Sequence, residues 1–87
     1  MSENTQAKQH PHVVEITVNN KTVHIEGPKA TGLEIKQAAV AQGVQIELDF
    51  QLAELLANGT RKIIGNGDPV VVHKDSRFVA TAADDNS

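Results

Sequence analysis

The sequence predicts an α+β domain in which a mixed sheet of four to five strands packs on one helix. Three observations predict it. Two alternating apolar runs, "VVEITV" and "TVHIE", flank a tight turn. One well-marked helix, "TGLEIKQAAVAQ", follows them. A last alternating run, "RFVATA", comes after several short segments separated by turns. A helix between strand hairpins covers its apolar side by packing across one face of a sheet. The small α+β arrangement with this order of elements is the β-grasp.

Each element has a local cause. From Val13 to Val18, Val14, Ile16 and Val18 face one way and Glu15 and Thr17 the other, the period-2 pattern of a half-buried strand. Asn19 and Asn20 tolerate the left-handed backbone that a short hairpin turn requires. Val23 and Ile25 then point inward while Thr22, His24 and Glu26 point outward. Gly27 and Pro28 break this strand. Thr31 and Glu34 stand at the spacing of a capping box, in which each side chain satisfies a backbone donor at the helix start. Ile35, Ala38, Ala39 and Gln42 form a narrow inward face, and Gly43 supplies the left-handed stop. Leu33 and Val40 point away from that face.

The second half reads as short strands. "NGT" at Asn58 to Thr60 marks a hairpin between "FQLAELL" and "RKII". "QLAELLA" fits a strand or a helical turn, and the pattern does not separate them. "GNGDP" at Gly65 to Pro69 is a second break. In the last run Phe78 and Ala80 share one side, and Arg77, Val79 and Thr81 the other. The expected domain layout is a disordered N-terminal arm (1–12), the folded domain (13–82) and a flexible C-terminal tail (83–87).

Composition narrows the function. The chain has 87 residues and no cysteine, which removes disulfides, thiolate metal sites and thiol nucleophiles together. Phe50 and Phe78 are its only aromatic residues, so the core is built from Val, Ile, Leu and Ala and leaves little room for a buried substrate pocket. Net charge is −3 with eight scattered Lys and Arg residues, which does not make the clustered basic face of a nucleic-acid binder. The start of the chain lacks the basic and apolar regions of a signal peptide. No run approaches the ~18 apolar residues of a membrane span. The expectation is a soluble, cytoplasmic protein. His10, His12, His24 and His73 show no zinc-ligand spacing. "GNGDP" lacks the Lys-Ser/Thr end of a phosphate loop, and Ser76 has no evident base beside it.

The stretch "KDSRFVATA" resembles the final strand of ubiquitin, and Thr31 heading a helix with Ile35 and Ala39 as its buried pair resembles ubiquitin's helix. More closely, "EGPKATGLEIKQAA", "LDFQLAELLANG" and "VHKDSRFVATAADDNS" resemble the bacterial multiubiquitin-type domain, from about Val13 to Ser87. The resemblance implies a ubiquitin-like β-grasp modifier of a bacterial ubiquitination-like pathway, non-enzymatic and without a cofactor. It implies as partners an activating enzyme, a conjugating-type enzyme, a processing or deconjugating peptidase and the target proteins.

Such modifiers are activated by adenylation of their C-terminal carboxylate, followed by acyl transfer to an enzyme nucleophile. Most end in two glycines, whereas the last glycine here is Gly67. The expected processing and conjugation segment is therefore Asp84, Asp85, Asn86 and Ser87. Asn86 is the first choice of acyl donor if Ser87 is removed, and Ser87 if it is not. A second candidate is a partner-binding patch of Leu56, Arg77, Val79 and Thr81, with Leu56 beside Val79. Leu33 and Val40 are candidates for self-association. The alternative function is a non-covalent β-grasp interaction and self-assembly module.

Overall fold

The computed structural model describes residues 12–82. Strands β1 (His12–Val18) and β2 (Lys21–Gly27) form the first hairpin, followed by β3 (Lys29–Thr31) and helix α1 (Gly32–Ala41). Then come β4 (Gln51–Leu55), β5 (Arg61–Ile64), β6 (Pro69–Val71) and β7 (Arg77–Thr81). The main sheet has the order β2-β1-β7-β4-β5, and β3 pairs with β6 in a separate two-stranded ladder. β7 runs parallel to β1 and antiparallel to β4, so the last strand is the middle of the sheet. This is the expected α+β architecture, one helix on a mixed sheet, with the β3–β6 ladder added. The strand reading of "QLAELLA" prevails, but only from Gln51 to Leu55.

The first hairpin closes as its turn residues require. Asn19 and Asn20 have φ of 52° and 67°, and Val18 pairs directly with Lys21. Its first strand starts one residue earlier than expected, because His12 pairs with Gly27. The rest of the expected N-terminal arm lies outside the described residues.

Helix α1 is closed at both ends. The Glu34 amide donates to Thr31 Oγ1 at 3.2 Å and the Thr31 amide to Glu34 Oε1 at 2.8 Å, completing the capping box. At the other end Val44 N–H reaches Ala39 O and Gly43 N–H reaches Val40 O, with Gly43 at φ 95°. These are the two bonds of a Schellman stop. The Gly65–Asp68 turn folds over the helix start. Gly32 N–H donates to Asp68 O and Leu33 N–H to Asn66 O, and the Asp68 carboxylate accepts from Gly65 N–H.

The core lies between α1 and the sheet. Ile16, Val18, Val23, Ile35, Leu52 and Phe78 are its largest fully buried side chains. The buried face of α1 is Gly32, Ile35, Lys36 and Ala39, an i, i+3, i+4, i+7 stripe. This differs from the expected face in two ways. Ala38 is half-buried and Gln42 is exposed, while Lys36 lies inside. Lys36 is 4% exposed and its Nζ donates to Phe50 O at 2.7 Å. A buried ammonium is tolerated only where it finds an acceptor, and the backbone carbonyl that precedes β4 supplies one.

Candidate functional site

The candidate site is the outer face of the sheet together with the point where the chain leaves β7. Alternation along β7 puts Phe78 and Ala80 into the core and Arg77, Val79 and Thr81 on the opposite face. Cross-strand partners share a face, so the register with β4 identifies the neighbours. Thr81 lies opposite Gln51, Val79 opposite Ala53 and Arg77 opposite Leu55. Ile63 lies opposite Ala53 on its other side.

An apolar row therefore crosses three strands, Val79–Ala53–Ile63. It is graded in exposure: Ala53 is buried in the middle, Val79 is half-buried and Ile63 is 55% exposed. A second row lies one step along, with Leu55 between Arg77 and Arg61. The outer face thus carries a small apolar strip bordered by two guanidinium side chains. On the β1–β2 side the same face carries His24 Nε2 3.2 Å from Glu15 Oε2 across the hairpin, with Val13 exposed beyond them.

The expected patch is partly rearranged. Arg77, Val79 and Thr81 share the outer face as expected, but Ala53 rather than Leu56 stands beside Val79. Leu56 lies past the end of β4, where its N–H donates to Thr60 O to close the β4–β5 turn. Leu56 and Arg77 instead line an open cleft of about 960 Å³ with Leu55, Ser76 and His73. Ala53 and Ile63 are the residues that reading the sequence missed. Their signal was the Asn-Gly turn, which sets the β4–β5 register, but two adjacent isoleucines in "RKII" leave open which one points inward. The register selects Ile64, opposite Leu52, for the core.

The other candidates are dispersed. Leu33 is half-buried in the first turn of α1, and Val40 is 42% exposed in its last turn. Ser76 is buried, and its Oγ accepts from His73 N–H at 2.9 Å within the turn before β7. This is a structural role in which the hydroxyl closes the turn. Asp84, Asp85, Asn86 and Ser87 lie outside the described residues.

The place from which that segment departs is well defined. Ala80, the last buried residue of β7, pairs with Leu52 on one side. On the other side the Asn19 carboxamide takes both of its backbone groups: Ala80 N–H donates to Asn19 Oδ1 at 2.8 Å, and Asn19 Nδ2 donates to Ala80 O at 3.1 Å. The chain thus emerges from the centre of the sheet, held on both sides up to its last strand residues.

A family model, Multiubiquitin, matches residues 14–84. The chain belongs to the multiubiquitin family. The match spans β1 through β7 and continues past Thr81. Neither a curated protein nor a solved structure matches the chain. Ubiquitin-like domains of this family are typically non-enzymatic. Among the described residues no three histidine or acidic side chains are grouped to hold a metal ion, and no helix is long and apolar enough to cross a membrane.

Proposed function

We propose that this multiubiquitin domain is a ubiquitin-like protein modifier of a bacterial ubiquitination-like pathway. In this reading it acts in the cytoplasm and has no catalysis of its own. The segment Asp84–Asp85–Asn86–Ser87 is the working part. A peptidase trims at or near Asn86, an activating enzyme converts the exposed carboxylate to an acyl adenylate, and a conjugating-type enzyme carries the acyl group to an amine of a target protein. The observation that supports this most is that the family match runs on to residue 84, beyond the last strand. A modifier needs its reactive end to start from a rigid body so that an enzyme channel can find it, and β7 is the middle strand of the sheet.

The test is incubation with the cognate activating enzyme and ATP, followed by intact-mass analysis. The expected product is an adduct of the full chain or of the chain lacking Ser87. The absence of an adduct with both would overturn the reading.

The second reading, a non-covalent interaction module, is favoured by the apolar row Val79–Ala53–Ile63, because exposed apolar surface on a sheet face is a common site of association. Light scattering at high protein concentration separates its self-assembling form, since a strict monomer counts against it.

A further inference from the structure

The two edges of the main sheet are treated differently. At the β2 edge the Gln42 side chain imitates a neighbouring strand. His24 N–H donates to Gln42 Oε1 at 2.8 Å, and Gln42 Nε2 donates to His24 O at 2.7 Å. An unpaired strand edge is a template for another strand, and this carboxamide occupies that template at its middle.

The β5 edge has no such cover among the described residues. β5 pairs with β4 alone. Leu56 N–H bonds to Thr60 O, which fixes the alternation of the β4–β5 ladder. Counting from it, Lys62 and Ile64 turn their backbone groups toward β4, and Arg61 and Ile63 turn theirs outward. The free edge ends at Gly65, whose N–H is taken by the Asp68 carboxylate.

The side chains along this edge restrict what can pair with it. β5 carries Arg61 and Lys62 and no acidic residue. Arg77 stands on the same outer face as Arg61, two strands away at about 9.5 Å by strand spacing. Ile63 offers an exposed apolar side chain on that face, continuous with Ala53 and Val79. A second copy docking edge to edge would bring its own Arg61 and Lys62 against this pair, and like charges oppose it. An acidic strand is opposed only at the Gly65 end of the edge, where the Asp68 carboxylate stands.

We propose that the free β5 edge takes an extended acidic segment of a partner protein as a sixth strand. The partner strand exchanges backbone hydrogen bonds with Arg61 and Ile63, sets an apolar side chain beside Ile63, and places a carboxylate beside Arg61 on the same face, two residues along. Its acidic end lies away from Asp68, which would repel it. The interaction is independent of conjugation, since it uses no residue of the 84–87 segment.

The test is an NMR titration of the full chain with a blocked octapeptide, Val-Thr-Glu-Thr-Val-Thr-Glu-Thr, whose valines and glutamates share one face of the extended strand, against the same peptide with lysine in place of glutamate. The acidic peptide is expected to shift the Arg61 and Ile63 amides, slow their hydrogen exchange, and lose affinity about tenfold in ~0.5 M salt. The double variant R61E/K62E is expected to abolish the shifts. Ile63→Pro removes an outward N–H, which sheet edges tolerate, together with the exposed side chain, and is also expected to abolish them with the remaining spectrum intact. The proposal is overturned if the acidic peptide does not bind at millimolar concentration, if it binds no better than the lysine peptide, or if the shifts map to β2 and α1. It is equally overturned if the free chain is a dimer with the Ile63 amide already protected, which would assign the edge to a second copy. Adduct formation with the activating enzyme is read separately, so failure of either reading leaves the other standing.

Discussion

The Asn19 side chain and the Ala80 backbone are joined by two hydrogen bonds across 61 positions of sequence. The parallel pairing of β1 with β7 reaches Val18 opposite Phe78, and Asn19 N–H extends it to Phe78 O at 3.0 Å. The main chain must then turn away into the hairpin. The carboxamide continues the ladder in its place. One residue thus supplies both the left-handed turn and the last link between the first hairpin and the final strand.

Asn19→Gly keeps the turn angle and removes only the carboxamide. It leaves the N–H and C=O of a residue that is 4% exposed without partners, a loss of about 2 kcal/mol. For a domain of this size the melting temperature falls by roughly 10 °C. Asn19→Ala keeps a Cβ at positive φ without the side-chain amide that lets Asn tolerate it, and is expected to cost about 1 kcal/mol more than the glycine variant. Asn20→Gly, at the other left-handed position of the turn, is expected to be nearly neutral. Thermal unfolding of the three variants checks the ranking, and equal effects at positions 19 and 20 would contradict it.

Gln42 plays the same part at the β2 edge. Gln42→Ala is expected to cost about 1 kcal/mol, less than Asn19→Gly because both of its bonds are exposed to water. Hydrogen exchange at the His24 amide is expected to quicken, and the uncovered edge to raise self-association at high concentration. Exchange measurement on wild type and variant reads the first effect and light scattering the second. An unchanged His24 rate would mean that the side chain does not hold the edge in solution.

These two carboxamides also mark the limit of what the sequence discloses. The alternation of Val14, Ile16 and Val18, the Asn19–Asn20 turn, the Thr31–Glu34 box and the Gly43 stop are local patterns, and each appears in the fold as read. The family match accords with the motifs in the helix and the last strand. Long-range pairings have no local signature. Asn19 reads as a turn residue and Gln42 as the end of a helix face, and nothing near either names Ala80 or His24 as partner. Ala53 and not Leu56 stands beside Val79 for the same reason, since the β4–β7 register joins segments distant in sequence. The short β3–β6 ladder joins segments so brief that no period is visible in them.

Gly32 is required by contact and not by backbone angle. A methyl group built there would run into the Gly65 carbonyl, part of the turn that caps α1. Backbone on both sides leaves little room to yield. Gly32→Ala is therefore expected to destabilise by about 2–3 kcal/mol despite alanine's better helix propensity. Gly67, in the same turn, has open space around its Cβ position. Gly67→Ala is expected to be neutral or to stabilise by a few tenths of a kcal/mol. Denaturant unfolding of the pair provides the comparison. A mild effect at Gly32 would show that the turn can lift from the helix without loss.

Lys36 is buried where a sequence pattern places a solvated charge. Its stem fills space between α1 and the segment before β4, and its ammonium bonds Phe50 O. Lys36→Met keeps most of the volume and is expected to cost about 1 kcal/mol, whereas Lys36→Ala loses the stem as well and costs about 2–3 kcal/mol. Acylation with an amine-reactive reagent offers a second measure. The native chain should leave Lys36 unmodified while its exposed lysines react, and unfolding should equalise them. Rapid native modification of Lys36 would mean that its side chain is not held inside.

The segment 84–87 follows β7 in the chain, and among the described residues Ala80 is the last of the core. Deleting it is expected to leave the melting temperature almost unchanged, because chain ends that follow the last core strand contribute little to stability. The same deletion is expected to abolish adduct formation with the activating enzyme and ATP. Asn19→Gly gives the converse pattern: a lower melting temperature, with an adduct still formed under conditions where the chain is folded. The two variants together separate holding the last strand from supplying the reactive end. A large loss of stability on deletion would mean that residues after Thr81 contribute to the core. An adduct that survives deletion would move the reactive group elsewhere on the chain.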